Sequence, residues 1–269
     1  MVFRFERYSN LKRLKINCNQ VHIEEIRVEN NAWIDFDLED PLENLSDYDW
    51  KRLDNADEID ETFKIHLKES DPWCDGGELI IDLSECDSGN VSLNEDGSFD
   101  LIISMKFSLE NPRSGVHFRT PLLKDGNIDW SLAHMFATPY YNSARSCFPC
   151  IDAPDKLCLW DLEFCVPKHM SAVSSGDLLK CIQFNNGKRL YRFSLRVPTA
   201  AQNIAFAVGN FIAHVDRHQP QITSFCTPEF VDIMQDAVDE TWKMLAFFEG
   251  YFKSSILHDS YKQVRYPQT

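Results

Sequence analysis

Hydrophobic and polar side chains alternate with period two along most of this chain. Residues 12–17 (KRLKIN) and 21–28 (VHIEEIRV) place apolar side chains near every second position, the pattern of strands with one buried face. Residues 32–38 (AWIDFDL) extend the alternation and predict a third strand. From 39 to 75 scattered Leu, Trp and Ile among acidic residues fit neither the strand nor the helix period, which predicts an insertion loop over 38–77 with a short helix near Asp49–Asp54. Gly76-Gly77 punctuates its end, and residues 78–83 (ELIIDL) return to strand character.

The longest alternating run is SFDLIISMKFSL (98–109), followed by a turn at Pro112 and Gly115 and a short strand at 116–118. Further strands are expected at 159–166, 171–175, 179–184, 189–197, 203–209 and 222–226, separated by turn residues such as Gly176-Asp177 and Asn185-Asn186-Gly187. Asn-Gly between alternating runs is the strongest local hairpin signal. Strands at this spacing, with little amphipathic helix, predict a mainly β fold of antiparallel sheets packed as a sandwich.

The period changes at Thr227. Thr227-Pro228-Glu229 supplies a hydroxyl cap, a proline for the first turn and a negative charge near the positive end of the helix dipole. Phe230, Met234, Val238, Trp242, Leu245 and Phe248 then recur at helical spacing, predicting one amphipathic helix to about Phe252. The expected domains are therefore a β domain over 1–226 and a helical segment over 227–269, whose apolar face has only the β domain to cover it and stays partly exposed.

Composition narrows the function classes. At 269 residues, with 43% hydrophobic and 12% aromatic content, the chain can bury a substantial core. No run approaches the roughly 20 apolar residues that span a bilayer, and residues 1–17 alternate charge with apolar residues instead of forming a signal-peptide core, so no membrane role is expected. Nine cysteines in that context read as buried thiols of a reducing compartment. The sequons at Asn44 and Asn90 carry no weight without secretion.

The net charge of −15 is unevenly spread: residues 24–110 hold 26 acidic and 6 basic side chains, a local balance of −20 that leaves +5 for the rest. A phosphate backbone is bound by accumulated Lys and Arg, so DNA binding by this chain alone is not expected.

Reactive and rigid residue types crowd together only in YYNSARSCFPCIDAP (140–154). Pro149 and Pro154 fix φ and remove donors on either side of Asp152, so this stretch must be a kinked corner. Arg145 and Asp152 are candidates for a guanidinium–carboxylate clamp, with Phe148 as an apolar anchor. Cys147 and Cys150 have the spacing of a zinc knuckle or redox pair. Cys158 and Cys165, however, lie along one predicted strand, poorly placed to complete a tetrahedron, and no helix start follows to activate a thiol. His214 and His218 share the separation of zinc ligands on a helix but enclose Val215-Asp216-Arg217, with Pro220 closing a turn. Ser174, Ser175 and Asp177 lack the context of a nucleophile elbow.

Ala144, Arg145, Phe148, Pro149, Cys150, Asp152 and Pro154 resemble the A-R-R-x-F-P-C-x-D-E-P segment at the end of the N-terminal β domain of zinc aminopeptidases of the puromycin-sensitive and leukotriene-hydrolase type. Ser146 and Ala153 replace the second arginine and the glutamate. Residues 10–28, 107–118, 160–178 and 195–211 are similar to the peptidase-like TBP-associated subunits of the general transcription factor TFIID, so the resemblance covers the chain apart from about 38–75. It implies a saddle-like or sandwich β domain of the aminopeptidase N-terminal type, followed by the start of a truncated peptidase-like domain.

The His-Glu-x-x-His and Gly-x-Met-Glu-Asn motifs of the active enzymes do not occur in this sequence. No catalytic residue, cofactor or metal is therefore expected, and Arg145, Phe148, Pro149, Cys150, Asp152 and Pro154 are expected to form a structural corner. The resemblance further implies a nuclear scaffold in RNA polymerase II preinitiation complex assembly, with other TFIID subunits as partners, among them the largest subunit and a histone-fold subunit. Core-promoter DNA would be engaged only within that complex. The alternative is a truncated zinc aminopeptidase that removes N-terminal residues from peptides.

Overall fold

A computed structural model describes residues 1–5, 12–28, 32–39, 59–60, 63–64, 77–84, 94–96, 98–137, 143–238, 240–255 and 260–265. The helix expected near Asp49–Asp54 and most of the acidic segment 38–77 lie outside these residues, as do both sequons. The fold is mainly β. Its strands gather into two compact units, Met1–Ser114 with Tyr141–Ala153, and Gly115–Tyr140 with Pro154–Thr269, where the sequence suggests one β domain over 1–226.

In the first unit, β1 (Val2–Phe5), β7 (Phe99–Ser108), β3 (His22–Val28) and β4 (Ala32–Trp33) form one antiparallel sheet in the order β1-β7-β3-β4. A second antiparallel sheet has the order β2-β6-β5, from Arg13–Ile16, Leu79–Asp82 and Phe36–Leu38. Ile16, Ile26, Leu79, Ile81, Phe99, Leu101 and Ile103, drawn from both sheets, pack into one buried cluster. The apolar positions of β3 change parity, from Ile23 to Ile26 and Val28. The register against β7 shifts between Ile23 and Glu25, and this bulge keeps all three buried.

Residues 32–38 do not form the single strand that their alternation predicts. Ala32–Trp33 pairs with β3 and Phe36–Leu38 with β6, so the chain turns from one sheet to the other at Ile34-Asp35. Ile34 donates to Ile26 O at 3.2 Å, and Asp35 O accepts from Asp82 N at 3.0 Å. Alternation marks which side chains face inward, and a strand that changes sheets keeps it on both sides of the corner. At the next sheet, Gly77 (φ +156°) lies so close to β2 that a Cβ there would meet the Ile16 backbone at 2.6 Å.

Among the described residues the second unit holds three sheets. β8 (Val116–Arg119), β9 (His134–Ala137), β14 (Phe206–Gly209) and β11 (Ser171–Ser174) run in the order β11-β14-β9-β8. The turn at Pro112 and Gly115 closes no hairpin, because β8 pairs with β9. β10 (Leu157–Pro167), β13 (Lys188–Ala200) and β12 (Asp177–Gln183) form the order β10-β13-β12, and the Asn185-Asn186-Gly187 turn joins the β12–β13 hairpin with Gly187 at φ +78°. Val166, Met170, Ala172, Tyr191, Phe193 and Val208 form a buried cluster drawn from both sheets. The third sheet, β15 (Ile212–Val215), β16 (Ile222–Cys226) and β17 (Tyr261–Arg265), departs from the antiparallel expectation, since β16 and β17 run parallel.

The helix expected from Thr227 to Phe252 is divided. A 3-10 turn at Pro228–Phe230 leads into α1 (Val231–Val238), and α2 (Thr241–Phe252) follows. Thr227 makes no side-chain capping bond; its hydroxyl faces Glu229 Oε1 at 3.5 Å. Met234 and Val238 of α1 are buried with Cys226. The helical segment is thus followed by a strand, β17, which the sequence pattern alone does not announce.

Candidate functional site: the proline-flanked corner

The corner begins as a 3-10 turn, Ala144–Ser146, closed by bonds from Cys147 N (2.8 Å) and Phe148 N (3.0 Å) to Ala144 O. This short turn brings Arg145 back over Asp152. Arg145 Nε donates to Asp152 Oδ2 at 3.1 Å, and Arg145 N donates to the same oxygen at 3.2 Å. Asp152 is fully buried and the Arg145 side chain nearly so, which makes this a desolvated ion pair.

Other parts of the first unit close the corner. Arg145 Nη1 donates to Glu78 Oε1 at 3.1 Å, while Glu78 Oε2 accepts from Cys18 N at 3.0 Å. Asn17 and Cys150 exchange backbone bonds of 2.8 and 3.0 Å, and Asn17 Oδ1 accepts from Asp152 N at 2.9 Å. Pro149 and Cys150 are buried, Phe148 is half-buried, and the exposed Pro154 is the first residue of the second unit's return segment. Sequence reasoning missed Glu78 and Asn17. Their only local signals are a carboxylate directly after Gly76-Gly77 and a polar residue ending an alternating run. Ser146, standing where the aminopeptidase pattern has arginine, is buried, and its hydroxyl accepts from Ser114 Oγ at 3.1 Å.

The thiols here are held neutral. Burial, reinforced by Glu78, pushes Cys18 up to about 12; burial, reinforced by Asp152, pushes Cys147 up to about 11. Burial and then the Asp152 carboxylate also raise Cys150. A redox or metal-binding cysteine needs its thiolate, so this environment disfavours both chemistries. Cys158 and Cys165 sit on β10, both exposed. Among the described residues no group of three or more His, Cys, Asp or Glu is arranged to hold a metal.

His214 lies on strand β15, while His218 sits in the following turn, with its amide on Asp216 Oδ1 at 2.7 Å and its ring 4.8 Å from that of Trp242. They do not share a helix face. In the second unit a cleft of about 610 Å³ is lined by Phe136, Val173, Leu195, Phe206, Lys262 and Val264, among others. The Ser174 hydroxyl there donates to Ala205 O at 3.3 Å, and Ser175 Oγ accepts from Ala205 N at 3.0 Å. Lys262 donates to Gly176 O and, at 2.8 Å, to Ser260 Oγ; burial pushes its pKa down, opposed by Asp177. These bonds tie β17 to the Gly176-Asp177 turn.

Residues 73–201 match the Peptidase M1 N-terminal domain family. Over 260 residues, 95% of this chain, the sequence is 34% identical to transcription initiation factor TFIID subunit 2 of Drosophila melanogaster. This chain is similar to TFIID subunit 2 along nearly its whole length. It spans about a fifth of the length of the Drosophila protein, 21%. Glutamyl aminopeptidase of Rattus norvegicus is 29% identical over 137 residues, 50% of this chain and 14% of that protein. The structure of native yeast LTA4 hydrolase superposes on 98% of this chain and 34% of its own, with TM-score 0.64 and 17% identity, a likeness of fold alone. An aminopeptidase-type β fold thus occurs here in a sequence similar to a TFIID subunit, and a fold by itself does not choose between functions.

Proposed function

We propose that this chain is a non-catalytic interaction domain of TFIID, acting in the nucleus in assembly of the RNA polymerase II preinitiation complex. The observation that carries the reading is the similarity to TFIID subunit 2 along 95% of the chain, where similarity to glutamyl aminopeptidase extends over 50%. The local chemistry agrees with it: raised thiol pKa values, histidines on a strand and a turn, and serines bonded to backbone. Its partners are other TFIID subunits, the largest and a histone-fold subunit among them, met through surface complementarity. Core-promoter DNA is engaged only within the complex, because the chain's own charge of −15 opposes a phosphate backbone.

The test is affinity capture of TFIID subunits from nuclear extract on the tagged chain. Recovery of those subunits is expected; their absence, under conditions that retain other TFIID contacts, overturns the proposal. The Peptidase M1 N-terminal match favours a second reading, the β domain of an aminopeptidase. Chelator-sensitive hydrolysis of aminoacyl-coumarin substrates by the full-length product of the gene, with no TFIID subunit captured, would establish that reading instead.

A further inference from the structure

β12 is an outer strand: in the order β10-β13-β12 it pairs with β13 alone, and among the described residues its other edge is unpaired. Leu178 and Leu179 on it are 50% and 58% exposed. Edge strands are commonly blunted by a bulge and a lysine, and β12 has both, a register shift between Leu178 and Lys180 and the exposed lysine itself. Blunting does not account for the charge around Lys180. Its register partner on β13 is Arg192, so two like charges stand directly opposite, an arrangement that costs stability. Glu163, on the far side of Arg192, is 3.6 Å from it. At the turn end of the hairpin Lys188 pairs with Pro167, and Lys168 N donates to Gly187 O at 2.9 Å, which sets the two lysines side by side. From Leu178 to Arg192 there are four basic residues and no acidic one, in a chain of net charge −15. Among the described residues neither Lys168, Lys180 nor Lys188 forms an ion pair.

We infer that the free edge of β12 is a docking site for an extended acidic segment of a partner protein, which adds as a further strand with its carboxylates on the side of Lys180 and Arg192. Main-chain bonds along the edge supply affinity, and alternate side chains supply selection. Carboxylates on one face of the added strand relieve the repulsion between Lys180 and Arg192, a local rule broken without any compensation inside the sheet. Leu178, opposite the buried Phe193, lies on the other face and meets apolar side chains of the segment. A second copy of β12 is a poor occupant, since its own Lys180 and Arg192 would add to the same repulsion. A nucleic-acid backbone offers neither main-chain pairing groups nor apolar side chains for the two leucines. The site does not depend on the TFIID reading, because it concerns the chemistry of the segment and not the complex that carries it.

The experiment is fluorescence anisotropy of an acetylated, fluorescein-labelled peptide of repeated Glu-Val pairs, titrated with the purified full chain. A Lys-Val peptide and a short DNA duplex are the other probes, and hydrogen exchange reads the complex. Saturable binding of the Glu-Val peptide is expected, weakening as salt rises, with slowed amide exchange in β12. Lys180→Glu should weaken it by about tenfold or more, and Lys188→Glu by less. The Lys180→Glu variant should melt no lower than the wild type, because it turns a like-charge pair with Arg192 into an opposite-charge pair. No binding of the Glu-Val peptide up to about 1 mM, equal binding of the Lys-Val peptide, or binding unchanged by Lys180→Glu overturns the inference. So does tighter binding of the duplex, which would make these cations a phosphate site, or peptide binding that leaves exchange in β12 unaltered.

Discussion

Glu78 and Arg145, 67 residues apart in sequence, are joined by a 3.1 Å ion pair that closes the proline-flanked corner. Arg145 thereby serves two carboxylates, and its removal would strand the fully buried Asp152. Arg145→Ala should destabilise the protein by about 2–4 kcal/mol, the range for breaking a buried pair from one side. Glu78→Gln should cost about 1–2 kcal/mol, because the amide oxygen can still accept from Cys18 N. Urea unfolding of both variants checks the order; a wild-type midpoint for Arg145→Ala would show that the corner does not depend on this pair.

Gly176 and Gly126 share a left-handed backbone, φ +82° and +84°, but differ in surroundings. A Cβ at Gly176 would meet Ser194 O at 2.6 Å, whereas nothing lies within 4 Å of one at Gly126. Gly126→Ala should cost only the left-handed strain, about 1 kcal/mol. Gly176→Ala adds displacement of β13 and should cost about 2–4 kcal/mol. Thermal melts of the two variants side by side test this, and equal losses would remove the steric part of the argument.

Thiol reactivity should follow burial. Under native conditions at pH 8, a thiol reagent should label the exposed Cys165 and Cys181 and spare Cys18 and Cys150 until the protein unfolds, as read by peptide mass mapping. Fast native labelling of Cys150 would mean that the corner opens far more readily than its hydrogen bonds suggest.

The raised pKa of Cys18 also predicts a pH dependence. Its folded value, about 12, lies above its unfolded value near 9, so its contribution is fully present below about pH 9 and is lost as the pH rises towards 12. Between those limits the unfolded thiol ionises while the folded one does not, and stability falls by about 1.4 kcal/mol per pH unit from this group. Tyrosines and lysines titrate over the same range, so the measurement is a difference: Cys18→Ala should lose stability less steeply with pH than the wild type. Identical slopes would exclude Cys18 as a source.

Much of this architecture is legible in the linear chain because its causes are local. Period-two alternation placed β2, β3, β6, β7, β10 and β13 to within a few residues, since a strand with one buried face must alternate whatever it pairs with. Asn185-Asn186-Gly187 marked a real hairpin because a left-handed glycine is a backbone requirement of the turn itself. Arg145 and Asp152 could be paired on paper because they are seven residues apart and prolines force the chain between them to bend.

Only the tertiary structure decided what depends on distant partners. It brought Glu78 and Asn17 to the corner, carried residues 32–38 from one sheet to another, and divided the strands into two units. It also made β17 a parallel neighbour of β16. Alternation states that a face is apolar, not what covers it, and hydrogen-bond partners across tens of residues leave no periodic trace in either segment.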